Sequence, residues 1–124
     1  MLTLPTLACI SLALSVACGA FGAHGLRNLI SPNDLEIWEK AVLYQMVHSV
    51  GALFLALCNH PSLKGEKGRQ IGILLLLSTL IFSGSLYLLV LSQVRWLGAI
   101  TPIGGTGFII AWLLLARSLA RRDS

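Results

Sequence analysis

The chain has 124 residues, 56% of them hydrophobic and only 11% charged, against roughly 45–50% apolar and 25% charged in a soluble domain. That balance excludes an ordinary water-soluble enzyme and places the chain in a bilayer. The net charge of +4 comes from Lys and Arg set between apolar runs and not from a basic patch interleaved with aromatics, so it is a topology signal and argues against nucleic-acid binding.

At about 20 residues per crossing helix, the length suits one domain over residues 1–124. The expected fold is all-α: an integral membrane four-helix transmembrane bundle, with spans at about 2–23, 41–58, 71–92 and 96–117. In the first span Ser11, Ser15, Gly19 and Ala23 recur every four residues, a small-xxx-small ridge suited to close helix packing. The span ends in Gly22-Ala23-His24-Gly25, where the imidazole sits either as a partner of the last carbonyls or as a functional group at the boundary. Cys9, Cys18 and Cys58 all fall in or at the end of apolar segments and form no CxxC, so they read as small buried residues. Cys18 follows Ser-Val-Ala like a lipoprotein cleavage box, but no Lys or Arg precedes Arg27, and an uncleaved first span is the expectation.

Ser31-Pro32-Asn33-Asp34 has the form of a helix start, with an N-cap serine and proline in the first turn. It predicts a short amphipathic helix leading into the second span, with Leu35 and Trp38 at the interface and Asp34, Glu36 and Glu39 in water. Trp38 reads as an aromatic-belt residue. In the second span Leu43, Met46, Val47, Val50, Leu53, Phe54 and Leu57 form a bulky stripe that should face lipid. Ala41, Gln45, His48, Ser49, Ala52 and Ala56 share the other side and should face protein. Ser62 to Gln70 is a basic loop carrying Lys64, Lys67 and Arg69 against Glu66. The third span carries Thr79, Ser83 and Tyr87 on one face with Gly84 beside them. The fourth opens with Gly98, Thr101-Pro102 and Gly104-Gly105-Thr106-Gly107, where the proline frees a carbonyl one turn back and the glycines allow close approach or local unwinding.

Six basic residues, Lys64, Lys67, Arg69, Arg117, Arg121 and Arg122, would share a side with both termini, against Arg27, Lys40 and Arg95 on the other. Both termini should then be cytoplasmic. Counted inward from the outer ends at about 1.5 Å per residue, His24 lies at the boundary, Tyr87 and Thr101 at about 8 Å, His48 at about 10 Å and Ser83 at about 14 Å. The polar groups should therefore form a layer in the outer half of the bilayer. Gln45 and His48 should reach the fourth span near Thr101 to Gly105, with His24 and Tyr87 closing the layer.

Four segments carry a family resemblance: Ala20-Phe21-Gly22-Ala23-His24-Gly25-Leu26, Tyr44-Gln45-Met46-Val47-His48, Phe82-Ser83-Gly84-Ser85-Leu86-Tyr87 and Gly98-Ala99-Ile100-Thr101-Pro102-Ile103-Gly104-Gly105. In that order, across all four spans, they resemble the YgdD-like family of small membrane proteins, domain-of-unknown-function family 423. The resemblance implies a four-span protein of the bacterial inner membrane with no securely assigned activity. It points to His24, Gln45, His48, Ser83, Thr101, Pro102, Gly104 and Gly105 as motif positions. Trp38-Glu39-Lys40 is more charged than the family's usual approach to the second helix.

The candidate binding layer is thus His24, Tyr44, Gln45, His48, Ser83, Tyr87, Thr101, Pro102, Gly104 and Gly105. A binding or structural membrane module is the leading reading, since interhelical polar contacts are common glue. A small transporter or channel component is the alternative, although no Asp or Glu lies within a span. A haem or metal held by His24 and His48 is a further one, although two ligands are few and no HxxxH occurs. No enzyme is expected: Ser83-Gly84-Ser85 is not a nucleophile elbow, and no buried acid would orient His48 as a base. No cofactor is expected. The partners are membrane lipid, with a membrane-protein partner or a second copy left open.

Overall fold

A computed structural model describes residues 2–121. Among them every regular element is helical. Helix α1 spans Leu4–Ala20 and continues into a wider π turn, Phe21–Leu26; α2 spans Pro32–Leu57, α3 Lys67–Ser92 and α4 Thr101–Ala120. All four are long and apolar enough to cross a membrane.

The Ser31 cap forms as its sequence requires: the Asp34 amide donates to Ser31 Oγ at 3.1 Å, and Pro32 stands in the first turn. From there α2 runs unbroken for 26 residues, about 39 Å at 1.5 Å per residue, so the amphipathic lead-in and the second span are one helix. Its two faces divide as their spacing dictates. Leu43, Met46, Val47, Val50, Phe54 and Leu57 are exposed, whereas Ala41, Gln45, His48, Ser49 and Ala52 are buried and Ala56 is half-buried. Leu53, expected towards lipid, is instead half-buried against the apolar cluster around Leu55 and Leu75, because it stands at the edge of the stripe.

The helices pack in sequence, α1 on α2, α2 on α3 and α3 on α4, and α1 meets α3 only sparsely. Two apolar clusters result. One, at the end of the second loop, gathers Ala52, Leu55, Ile71, Leu75, Phe108 and Leu115. The other, at the end of the first and third loops, gathers Leu26, Trp38, Leu89 and Val90.

The second cluster corrects the expectation for Trp38. Its indole is 3% exposed, and Nε1 donates to the Cys18 carbonyl at 2.8 Å. The reason lies in the π turn after α1, where Gly22 leaves the necessary space: a Cβ there would lie 2.6 Å from the Trp38 ring. Asp34 is likewise buried and not in water. The unwinding considered for the fourth span does not occur from Thr101 onward. A 3-10 turn over Arg95–Ala99 leads into α4, and Pro102 sits in the first turn of that helix, where its missing N–H leaves no bond unmade. Gly104 serves close approach instead, since a Cβ there would lie 2.5 Å from the Phe82 amide nitrogen.

Candidate functional site

Gln45 is the node of the buried polar groups. Its Nε2 donates to the Ser11 carbonyl of α1 at 2.9 Å, and its Oε1 accepts from the Tyr87 hydroxyl of α3 at 2.7 Å. A carbonyl can only accept and the amide nitrogen can only donate, so the two partners fix which way the amide faces. Ser11 Oγ lies 2.6 Å from Ser49 Oγ, and Ser83 Oγ donates across to the Ala41 carbonyl at 2.7 Å. The Tyr87 ring packs on Trp38 with centroids 4.6 Å apart. These groups bond to one another across helices, as an environment without water demands. Ser11 lies nearer the Leu4 end of its helix than the Leu26 end, so the bonded groups reach further across the bundle than the half nearer the first and third loops.

His48 occupies the adjoining face of α2 and takes no part in that node. Its Nδ1 lies 2.7 Å from the carbonyl of Tyr44, which makes Nδ1 the protonated nitrogen because a carbonyl only accepts. The ring stacks on Phe108 of α4, centroids 3.6 Å apart and planes at 13°, while Tyr44 stacks on Phe82 of α3. The expected contacts from Gln45 and His48 to Thr101–Gly105 are therefore corrected. Gln45 bonds α1 and α3, and His48 reaches α4 two turns beyond Thr101 through an aromatic face. Thr101 pairs instead with Ser85, oxygens 2.6 Å apart. Pro102 is exposed, Gly105 is half-buried, and His24 is exposed on the π turn. Among the described residues no three His, Cys, Asp or Glu side chains converge as metal ligands would.

A cluster that sequence reasoning missed closes the end near the first and third loops. Arg95 Nη1 donates to Asp34 Oδ1 at 2.8 Å, and Gln93 Nε2 donates to Asp34 Oδ2 at 2.9 Å. Arg95 Nη2 also donates to Gln93 Oε1 at 2.7 Å. Gln93 reaches this position from a left-handed backbone, φ 61°, that ends α3. The available signal was that Arg95 and Asp34 flank loops on the same side of the membrane.

The sparse meeting of α1 and α3 leaves a groove of about 530 Å3 between them. Leu7, Ile10 and Leu14 form one wall and Ile73, Leu77 and Leu80 the other, while Ser11, Gln45, Ser83 and Tyr87 lie along its floor. Gly84 also lines it, and a Cβ at Gly84 would meet nothing within 4 Å. Mostly apolar walls with a few placed polar groups are what small-molecule sites share. Sequence reasoning had placed Gly84 beside the polar face without the groove.

The profile of the family described as "Protein of unknown function (DUF423)" matches residues 18–105. The chain is 45% identical over 109 residues to UPF0382 membrane protein SSP2132 of Staphylococcus saprophyticus, covering 88% of this chain and 89% of that one. To UPF0382 membrane protein SERP0230 of Staphylococcus epidermidis it is 48% identical over 109 residues, 88% of each. To UPF0382 membrane protein YwdK of Bacillus subtilis it is 42% identical over 110 residues, 88% of this chain and 89% of the relative. No solved structure matches the chain.

Proposed function

We propose that this chain, which belongs to the DUF423 family of multi-pass membrane proteins of unknown function, is a non-enzymatic binding module that holds a membrane lipid in the groove between α1 and α3. The observation that carries the reading is the groove itself: bulky apolar walls above a floor of Gln45, Ser83 and Tyr87. A flexible acyl or isoprenoid chain fits those walls better than a helix does, because helices associate in membranes through small residues. The polar floor is bonded internally, so it fixes the groove's shape and offers lone pairs to one polar group of the lipid. The unbroken start of α4 and the paired state of the node weigh against a conduction pathway. We place the protein in a bacterial inner membrane with both termini cytoplasmic, on the six-to-three basic count.

The test is mass spectrometry of lipid co-purified in mild detergent with the chain and with Gly84→Leu. The new side chain enters open space and replaces the weakest helix former but proline, a gain of up to about 1 kcal/mol, so the variant should fold at least as stably. The lipid should be present in the parent and lost in Gly84→Leu. Lipid retained by the variant, or a lipid-free dimer that Gly84→Leu dissociates, would overturn the reading; the dimer would assign the groove to a second copy.

A further inference from the structure

At the opposite face of α3 a second cleft opens, where the first turns of α3 pass the last turn of α4. Lys67, Arg117 and Arg121 line it, together with Gln70 and Ser118, around a volume of about 520 Å3. Ile71, Leu74 and Leu114 continue the cleft towards the apolar part of the bundle. We infer that this cleft binds an anionic phospholipid, its phosphate among the three cations and the start of one acyl chain along the leucines.

Three observations support that occupant. Among the described residues none of the three cations is ion-paired, whereas Arg69 on the same end is engaged by Glu66 at 3.2 Å. Lys67 stands at the start of α3, which has no side-chain cap, so the free amides and the positive end of the helix dipole add to the field there. Finally, the charges and the apolar floor follow one another along the helix axis, in the order of headgroup and acyl chain. A soluble anion would use the first part only. Basic pockets between transmembrane helices on the cytoplasmic side are suited to such headgroups, and that leaflet carries the anionic lipid. The inference stands independently of the groove between α1 and α3.

Native mass spectrometry of the full chain in detergent, titrated with phosphatidylglycerol or phosphatidylcholine, tests it. Phosphatidylglycerol should bind more tightly. Each Lys or Arg near an anionic surface is worth roughly fivefold in affinity, so Lys67→Gln/Arg117→Gln/Arg121→Gln should weaken it about 100-fold. A charge-conserving variant, Lys67→Arg/Arg117→Lys/Arg121→Lys, should keep the preference, and so should Lys64→Gln, which removes a charge from the same end outside both the cleft and the groove between α1 and α3. Equal binding of the two lipids would overturn the inference, as would a loss in Lys64→Gln as large as that per charge removed from the cleft, which would mean surface charge alone. Displacement of phosphatidylglycerol by millimolar inorganic phosphate would assign the cleft to a soluble anion and overturn it as well.

Discussion

One amide at Gln45 bonds α1 through Ser11 and α3 through Tyr87, so removing it frees two partners while removing Tyr87 Oη frees one. Interhelical hydrogen bonds in membranes average about 0.6 kcal/mol. Tyr87→Phe should therefore cost about that much in detergent unfolding and Gln45→Leu about twice as much. The double variant should be little worse than Gln45→Leu alone, because the Tyr87 bond is already gone. The same reasoning separates His48 from Thr101. They share no partner, so His48→Ala and Thr101→Val should add, whereas Ser85→Ala and Thr101→Val should couple through the bond they both break. Gly22→Ala meets an indole that cannot move without losing its bond to the Cys18 carbonyl. It should cost about 1–3 kcal/mol as an overpacking substitution, and in the same unfolding assay no cost would mean that Trp38 can vacate this site.

Helix α2 shows how much an element reveals of itself and how little of its neighbours. Its lipid stripe and its Ser31 cap were legible because 3.6-residue periodicity and capping chemistry are properties of the helix alone. The same rules misplaced Trp38 and Asp34, since a tryptophan and an aspartate near a loop look like interface residues until another element comes to cover them. Gly22 in the π turn after α1 does this for the tryptophan, and Gln93 and Arg95 after α3 do it for the aspartate. That ion pair is lopsided: the Asp34 side chain is 4% exposed and the Arg95 side chain 54%. After Asp34→Asn the guanidinium can turn to water, but after Arg95→Ala a buried carboxylate keeps only Gln93. Leaving a buried group short of partners costs about 1–3 kcal/mol and more if it is charged, so Arg95→Ala should destabilise clearly more than Asp34→Asn in thermal unfolding. Equal losses would show that Asp34 is hydrated in solution.

Across the whole molecule, two apolar clusters are separated by bonded polar side chains, and neighbouring helices are tied in turn: α1 to α2 by Ser11 and Ser49, α2 to α3 by Gln45 and Ser83, α3 to α4 by Ser85 and Thr101. Gln45, Ser83 and Tyr87 were legible as members because a polar group in an apolar run must find a partner. Their pairing was not, because it depends on which helix lies beside which. Ser11 looked like a small packing residue until α1 came to rest on α2, and the groove exists only because α1 does not close on α3. Orientation is the remaining property of the whole chain that the sequence addresses. The helices alternate in direction, so the basic loop at Lys64, Lys67 and Arg69 lies at the same end as Arg117 and Arg121, with Arg122 outside the described residues. At the other end Arg27, Lys40 and Arg95 remain, and Arg95 is bound to Asp34. Basic residues in short loops are retained on the cytoplasmic side. A reporter active only in the cytoplasm should therefore be active when fused after Ser124 and silent when inserted between Asn28 and Ser31. The reverse pattern would turn the bundle over and place the cleft at Lys67, Arg117 and Arg121 in the other leaflet.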